Sequence, residues 1–555
     1  MKMMNRLLVA VFSLSLLTSC LDELGPTGDE KPFENTYNIA QDTAKLVNQN
    51  TDLYKIAVRE GKRDTALIEK PDWNKELLPF IEAENFNTLG NKPKYQIDSA
   101  YLPLSKIKVY RYYSDKESAK IKEAVYEYQN GKLKRAHFEA NKENIVYKFD
   151  QNLTYTAGRG YSITSSQNVK KVLDEAFSVR SVFVNDSKPF KLTFHLPDEK
   201  KLMVRASLKA DSLVIFNNLE RIAVPLTQSG DSTIAELPVF QSEFHLKISD
   251  KRVDGYWLNL DKGSDYRIPV TGILEIPEPY RKAEADFSGK WELQIIEEDT
   301  TMPAIALLEQ SGSDLYGTIR TEVGDYRYLS GSVMGDSFRL STFDGNHAFY
   351  FEGALSGSDQ YEGSFYSGTH YKSKLKAKRN ENAELSDPGE LTKSTEKQMN
   401  FTFRNLAGKK VSLDDERYSG KAVVVNVMGT WCPNCMDETR YLKKLYEKYN
   451  DSGLEIVSLA FERESSFEKA KPVVQKAVQD LGIPYEVLLT GYTPQNAEKA
   501  IPELDKIMSF PTMIILNRDH KIVHVHTGFN GPATGKAYDE FVKETEGVVE
   551  KALKQ

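Results

Sequence analysis

The stretch AVVVNVMGTWCPNC, residues 422–435, decides the fold of the C-terminal part of this chain. Its first seven residues are apolar apart from Asn426, and a continuous apolar run is typical of a buried parallel strand. Two cysteines follow, and an amphipathic segment begins at once. The apolar face of that predicted helix carries Leu442, Leu445, Tyr446 and Tyr449. The stretch therefore predicts a buried strand that runs directly into a helix at Cys432.

Cys432 and Cys435 form a CxxC pair at this predicted junction. A sulfur at a helix N-terminus faces free backbone N–H groups and the positive end of the helix dipole, which favours the thiolate. In such pairs the cysteine pKa falls from about 8.5 to roughly 3.5 to 7. We therefore predict that Cys432 is the nucleophile and that Cys435, one turn later and more buried, is the resolving thiol within disulfide reach.

Zinc binding is the competing interpretation of a CxxC pair. The chain has three cysteines, and the third, Cys20, lies near the N-terminus, so no cysteine is left to complete a structural zinc site. His524 and His526 share one face of a predicted strand far along the sequence from the pair, and we interpret them first as strand residues. The sequence predicts neither a metal nor another cofactor.

The segments around the motif alternate between strand and helix patterns. The predicted strands are 455–461, 485–489, 512–517 and 522–528, and the predicted helices are 472–481, 494–507 and a last one from about 534. The last two strands are close enough in sequence to form a terminal hairpin. This order predicts an α/β domain over residues 399–555, with a central sheet covered by helices on both faces.

The motif Gly429–Cys435, together with Phe510, Pro511 and Thr512, resembles the thioredoxin fold and in detail the TlpA/ResA-type envelope thiol:disulfide reductases. The resemblance implies that Pro511 is cis and that its backbone lies against the disulfide and pairs with an incoming substrate chain. It further implies that Gly528 keeps the neighbouring surface open and that Trp431 covers the site. The substrate-binding residues carried over in this way are Trp431, Pro433, Asn434, Phe510, Pro511, Thr512 and Gly528.

The base of the reaction is less well defined by the sequence. Many thioredoxins have a buried Asp at the position of Asn426, and an amide cannot accept a proton at neutral pH. The resemblance implies a Glu shortly after the second strand, where Glu462 and Glu464 stand. Either carboxylate could serve, and Glu464 is slightly favoured because a Ser follows it. The alternative is that both are solvated loop charges.

The N-terminus has the features of an export signal. Lys2 and Arg6 precede an apolar run of about a dozen residues, which is too short to span a bilayer. The sequence Leu-Thr-Ser-Cys resembles the lipobox of bacterial lipoproteins and implies that Cys20 is lipidated. We therefore predict a signal peptide at 1–20, a tether at 21–36, and a location in the cell envelope, anchored to the outer membrane and facing the periplasm. An ordinary secreted protein is the alternative.

The middle of the chain has a different pattern. We predict helices within 37–87, the second spanning Trp73 to Phe86 with Asp72 as its cap, and then short strands from about 103 to 376. The predicted units are an N-terminal α+β domain (37–185), a β-rich domain (186–284), a small antiparallel barrel-like domain (285–379) and a linker (380–398). The predicted fold class is thus multidomain, with α+β and antiparallel sandwich- or barrel-like modules before a C-terminal thioredoxin fold.

Composition limits the function classes. The formal net charge is −7, and there is no long basic run, which argues against a nucleic-acid partner. We predict a membrane-anchored thiol:disulfide oxidoreductase that acts on extracytoplasmic protein disulfides and is re-reduced by a membrane electron-donor protein. The alternative is an envelope docking or ligand-binding lipoprotein with an auxiliary thioredoxin module. A peroxidase is disfavoured because Thr430 stands two residues before Cys432, not three.

Overall fold

The computed structural model describes residues 33–144, 146–170 and 173–555. The predicted signal peptide, the lipidation site Cys20 and the tether up to residue 32 lie outside the described residues. Across the described ranges, no helix combines the length and apolarity needed to cross a bilayer.

The first described module is a nine-stranded antiparallel sheet, with strand order β2-β1-β9-β8-β7-β6-β5-β4-β3. Its helices are α1 (Ala40–Asn48) and α2 (Trp73–Ala83), and its strands are β1 (Asp52–Arg59), β2 (Lys62–Ile68), β3 (Gln96–Leu102), β4 (Ile107–Tyr113), β5 (Ile121–Gln129), β6 (Lys132–Glu143), β7 (Tyr147–Thr156), β8 (Gly160–Val169) and β9 (Leu173–Val184). Asp72 caps α2 by accepting a hydrogen bond from the backbone N–H of Lys75. Trp73, Leu77 and Phe80 of this helix belong to the core that the sheet encloses.

The prediction of helix is wrong for residues 49–72. The chain forms the hairpin of β1 and β2 there, with Arg59 opposite Lys62. Glu60 and Gly61 both have positive φ, at 50° and 73°, and a two-residue turn of this kind matches the twist of paired strands. Leu53 and Ile56 are buried as strand residues, although their spacing also fits a helix.

Two further antiparallel modules follow. The strands of the second are β10 (Lys188–His195), β11 (Lys201–Leu208), β12 (Ser212–Asn217), β13 (Glu220–Pro225), β14 (Thr227–Ser229), β15 (Ser232–Glu236), β16 (Ser242–Ile248), β17 (Arg252–Asn259) and β18 (Arg267–Leu274). Those of the third are β19 (Gly289–Ile296), β20 (Thr301–Ser311), β21 (Asp314–Thr321), β22 (Gly324–Asp325), β23 (Leu329–Met334), β24 (Ser337–Phe343), β25 (Ala348–Leu355), β26 (Gln360–Ser367) and β27 (Tyr371–Arg379). Because β20 also pairs with β21, the third sheet closes into a barrel.

The C-terminal sheet has the order β29-β28-β32-β31-β30-β33-β34. Its strands are β28 (Thr402–Asn405), β29 (Lys410–Ser412), β30 (Ala422–Met428), β31 (Leu454–Ala460), β32 (Glu486–Leu489), β33 (Thr512–Leu516) and β34 (Ile522–Thr527), and the helices are α3 (Pro388–Leu391), α4 (Pro433–Tyr449), α5 (Phe467–Leu481) and α6 (Lys536–Ala552). Strand β30 is central, parallel to β31 and antiparallel to β33, and every residue of it is buried. Separate apolar cores cover its two faces.

Short 3₁₀ turns complete the described elements: Glu84–Phe86, Lys92–Lys94, Leu260–Lys262, Glu416–Tyr418, Asn450–Ser452, Pro494–Lys499 and Pro532–Thr534. The prediction of a helix over 494–507 is wrong beyond residue 499. The segment 380–398, predicted as a linker, lies against the C-terminal domain: Lys393 N–H donates to the Asp505 carboxylate at 2.8 Å, and Thr395 N–H donates to the Glu503 carbonyl at 2.8 Å.

The β modules contact one another closely. Phe343 of the barrel stacks on Phe194 of the second module, with centroids 4.8 Å apart, and meets Trp257 edge-on at 5.2 Å. The Glu309 carboxylate of the barrel accepts hydrogen bonds from the backbone N–H groups of Leu104 and Ser105 in the first module, at 2.8 and 2.9 Å. The predicted fold class is confirmed, and the domain limits drawn from the sequence stay predictions.

Candidate active site

Cys432 and Cys435 are joined by a disulfide, with their Cα atoms 5.3 Å apart. Cys432 is the N-cap residue of α4, and its sulfur accepts a hydrogen bond from the backbone N–H of Cys435 at 3.2 Å. The sulfur therefore faces the positive end of a 17-residue helix, where a thiolate is stabilised. Cys432 is 7% exposed and Cys435 0%, so a partner reaches Cys432 first.

Trp431 fixes the entrance to the helix. Its indole N–H donates to the carbonyl of Phe461 at 2.9 Å, and its ring meets Phe510 edge-on at 5.4 Å. Gly429 lies directly beneath this ring, and a Cβ at residue 429 would overlap the indole nitrogen. The Gly-Thr-Trp sequence before Cys432 thus lets the indole fold back over the end of β30.

The segment Phe510–Thr512 lies beside the disulfide. The Phe510–Pro511 peptide bond is cis, and the Phe510 carbonyl oxygen is 3.4 Å from the sulfur of Cys432. Gly528 donates its backbone N–H to the carbonyl of Pro511 at 2.7 Å. The Thr512 hydroxyl donates to the carbonyl of Ser509 at 2.8 Å. The fold thus brings the distant residues 510–512 and 528 together around Cys432.

The two carboxylates proposed as bases have different surroundings. Glu462 is 6% exposed, and its oxygens accept hydrogen bonds from the Thr430 backbone N–H at 3.0 Å and the Thr430 hydroxyl at 2.7 Å. Burial raises the pKa of Glu462 to about 7. The side chain of Glu464 is 62% exposed and pairs with Lys469 at 3.2 Å. The geometry therefore favours Glu462 over Glu464, the reverse of the preference drawn from the sequence.

A third carboxyl, Glu438, was missed by the sequence reasoning. It lies on α4 one turn after Cys435, it is 0% exposed, and neither carboxyl oxygen has a hydrogen-bond partner in the described structure. Burial raises the pKa of Glu438 to about 8, which is close to the pKa of about 8.5 of a free cysteine thiol. The sequence could have indicated Glu438 by its position three residues after Cys435, because residues i and i+3 lie on the same face of a helix.

The position in β30 that holds an Asp in many thioredoxins is occupied by Asn426, which is buried. Its side-chain N–H donates to the Ser458 hydroxyl at 3.3 Å, while its oxygen has no partner among the described residues. An amide there holds no titratable proton. Glu438, by contrast, is a buried carboxyl on the helix that carries Cys435.

Pro433 lines a cavity together with residues of the barrel, and Asn434 contacts the barrel directly. When the side-chain amide of Asn434 is oriented to satisfy both atoms, its N–H donates to the backbone carbonyl of Asp325 at 3.2 Å, and its oxygen accepts from the backbone N–H of Asp325 at 3.3 Å. Arg327 of the barrel lies 3.2 Å from Asp437, on the first turns of α4. The side chain of Asn346 donates to the Trp431 carbonyl at 2.6 Å. The barrel thus contacts the redox motif directly, which no local sequence pattern could indicate.

Residues 393–540 match the Redoxin family model. The chain is 30% identical over 128 residues to the thioredoxin-like protein YneN of Bacillus subtilis, covering 23% of this chain and 68% of that protein. The chain belongs to the Redoxin family. The redoxin domain is also 29% identical over 140 residues to the thiol-disulfide oxidoreductase ResA of Halalkalibacterium halodurans, covering 25% of this chain and 70% of that protein.

Solved structures are similar to the redoxin domain as well. One is a thioredoxin-family thiol:disulfide interchange protein from Chlorobium tepidum, with 23% identity, a TM-score of 0.23, and coverage of 29% of this chain and 97% of that one. Another is the thioredoxin domain of a thiol-disulfide oxidoreductase from Bacteroides vulgatus, with 24% identity, a TM-score of 0.22, and coverage of 27% and 98%. The family and the ResA relatives together support the predicted thioredoxin-like oxidoreductase activity.

Proposed function

We propose that this chain is a membrane-anchored thiol:disulfide oxidoreductase that reduces or isomerises protein disulfides outside the cytoplasm through Cys432 and Cys435. The observation that carries the proposal is the position of the pair. The more exposed sulfur caps α4 and lies 3.4 Å from the Phe510 carbonyl, in a redoxin domain. A sulfur so placed is activated by the helix and accessible beside a backbone segment able to hold a partner chain.

In the proposed cycle, the Cys432 thiolate attacks one sulfur of the substrate disulfide. A mixed disulfide forms, and the displaced substrate sulfur leaves as a thiolate that takes up a proton. Cys435 then loses its proton and attacks Cys432 in the mixed disulfide, which releases the second substrate sulfur. The substrate gains two electrons, and the Cys432–Cys435 disulfide is left oxidised.

Glu438 is the proposed acceptor for the Cys435 proton. Its carboxyl has a pKa of about 8 and no competing hydrogen-bond partner in the described residues, so it can exchange a proton near neutral pH. A carboxylate buried without a partner costs stability, and such groups are concentrated at functional sites. Glu462 has the supporting role of holding Thr430, and with it the turn before Cys432, through both of its oxygens.

The oxidised pair needs a reductant to begin another cycle, and we propose a membrane electron-donor protein for this step. The proposed anchor is a lipid on Cys20, which follows an apolar run and the residues Leu-Thr-Ser. This arrangement would hold the redoxin domain at the outer membrane, facing the periplasm. The alternative role, docking or ligand binding with an auxiliary redoxin domain, is less well supported because residues of the β modules contact Trp431 and Asn434 themselves.

Trapping tests the proposed function directly. In the full chain carrying Cys435→Ser, the mixed disulfide on Cys432 cannot be resolved, so covalent complexes with substrate proteins should accumulate. They are detected on non-reducing gels and identified by mass spectrometry. Cys432→Ser is the matched control and should trap nothing. If Cys435→Ser captures no protein through Cys432, the proposed function is wrong.

A further inference from the structure

One side of the disulfide is closed by the protein's own barrel. Gly324 forms a parallel β-bridge with Phe529, directly after Gly528, and the Asn434 amide pairs with the Asp325 backbone. The contact is tight, because a Cβ at residue 528 would overlap the Val323 carbonyl. The Asp325 carboxylate also accepts from the Gly531 N–H at 2.5 Å. In this conformation a substrate chain cannot lie along residues 528–531.

A second side of the disulfide stays open, as a cleft between the barrel and the redoxin domain. Near Cys432 it contains a cavity of about 330 Å³, whose wall includes Trp431 and Phe510. A neighbouring cavity of about 530 Å³ lies farther from the sulfur. The two cavities share the wall residues Tyr326, His347, Phe349 and Arg463. Together they make a groove that can hold a few residues of extended chain but not a folded domain.

The outer cavity has cationic and aromatic walls. Lys262 and Arg463 line it, no carboxylate does, and neither cation forms an ion pair with a described side chain. Arg463 donates a hydrogen bond to the backbone carbonyl of Asp261 at 3.2 Å and lies 5.5 Å from the ring centroid of Trp431. Lys262 lies 5.3 Å from the ring centroid of Tyr266. Burial lowers the pKa of Lys262 to about 8, and the attraction of Asp344 offsets only part of this loss of hydration.

Two carboxylates near the cleft, Asp344 in the wall of the inner cavity and Glu297 at the rim, are hydrogen-bonded to other groups. Asp344 is buried and accepts hydrogen bonds from the backbone N–H groups of Asn346 and His347, at 2.7 and 2.6 Å. Glu297 accepts a hydrogen bond from the Tyr371 hydroxyl at the rim. Asp261 is half-buried; its charge acts on Arg463 and, less strongly than that of Asp344, on Lys262. No described carboxylate lies within ion-pair distance of Lys262 or Arg463, so both cations can still bind an anionic ligand.

We propose that the groove selects the substrate: an extended polypeptide segment with acidic residues beside its disulfide cysteine enters between the barrel and the redoxin domain, with its carboxylates at Lys262 and Arg463. This inference rests on the proposed function and adds the class of substrate. Charge complementarity raises the encounter rate and holds the segment in register, and the aromatic walls accept its apolar atoms. Because residues 323–325 cover the other side of the disulfide, a substrate segment reaches Cys432 through this groove.

Paired peptides test the proposal on the full chain. Two disulfide-linked peptides differ only in carrying Glu or Lys beside the cysteines, and 2-hydroxyethyl disulfide is the uncharged reference. We expect kcat/KM for the Glu peptide to exceed that for the Lys peptide by about tenfold or more at low salt, and the ratio to shrink as salt rises. Arg463→Gln should raise KM for the Glu peptide about fivefold with kcat retained. Lys374→Gln, an exposed cation on β27, is the matched control.

The outcomes separate the two proposals. If the wild-type chain reduces none of the disulfides, the proposed function itself fails. If it reduces both peptides with equal kcat/KM, the function holds and the acidic selectivity is wrong. If oxidised glutathione, a free anionic disulfide, is reduced with higher kcat/KM than the Glu peptide, the polypeptide assignment is overturned in favour of a small molecule.

Discussion

Cys432→Ser is expected to lower kcat/KM for disulfide reduction by at least about 10³-fold, because it removes the nucleophile and leaves only the buried thiol of Cys435 at the site. A serine hydroxyl at the same N-cap position still accepts the N–H of residue 435, so the helix should form normally. The measurement is the rate of insulin reduction with a chemical reductant supplied in excess, at several substrate concentrations.

Cys435→Ser separates attack from resolution in the same assay. It should retain the first, stoichiometric attack by Cys432 while losing turnover, because the mixed disulfide is not resolved. The two variants together therefore distinguish the roles of the sulfurs. Turnover by Cys432→Ser above a few per cent of the wild-type rate, in folded protein, would contradict the assignment of the nucleophile.

Glu438→Gln is expected to slow resolution by Cys435 by about 100-fold at neutral pH, the usual range for loss of a positioned proton acceptor. Glu438 accepts a proton only when ionised, and its pKa is about 8. The wild-type resolution rate should therefore rise with pH up to about 8, and this titration should disappear in the variant. Stopped-flow measurement of mixed-disulfide resolution from pH 6 to 9 follows the step directly.

The same substitution should stabilise the redoxin domain. Below about pH 4.5 the Glu438 carboxyl is protonated in both the folded and the unfolded chain. Between about pH 4.5 and 8 it ionises only in the unfolded chain, so the free energy of unfolding falls by about 1.4 kcal/mol per pH unit. A neutral amide avoids this cost. At pH 7 the free energy of unfolding sensed by α4 amides in hydrogen exchange should be about 3 kcal/mol higher in Glu438→Gln, with no gain near pH 4.

Glu447→Gln is the matched control for both effects, since Glu447 is an exposed carboxylate on the same helix. It should change neither the pH profile of resolution nor the unfolding free energy by more than about 0.5 kcal/mol. A Glu438→Gln enzyme with a wild-type pH profile would exclude Glu438 as the proton acceptor and leave Glu462 as the next candidate.

Local patterns predicted the redoxin domain well. The apolar run 422–428 leads into the CxxC pair, and a buried strand and a helix are found where this pattern indicates them. The closing hairpin of β33 and β34 is likewise confirmed. These elements are each specified by short sequence windows, because burial on both faces and helical periodicity leave distinct patterns.

Other features depend on contacts that a local pattern does not encode. Leu53 and Ile56 fit helical spacing as well as a strand, and only the turn at Glu60-Gly61 distinguishes the two. Glu464 was favoured as the base because a Ser follows it in the sequence. In the structure Glu464 is exposed, whereas Glu438 is buried. The pairing of Asp325 with Asn434 joins residues more than a hundred positions apart, across separate modules.

The most direct test of the redox assignment is the pH dependence of alkylation of reduced Cys432 by iodoacetamide, followed by mass spectrometry. The reaction rate reports the thiolate, so its midpoint gives the pKa of Cys432. We predict a midpoint between about 3.5 and 7.5, as expected for a sulfur that caps a helix in a CxxC pair. A midpoint at or above about 8.5, the value of a free cysteine, would contradict the assignment of Cys432 as the activated nucleophile.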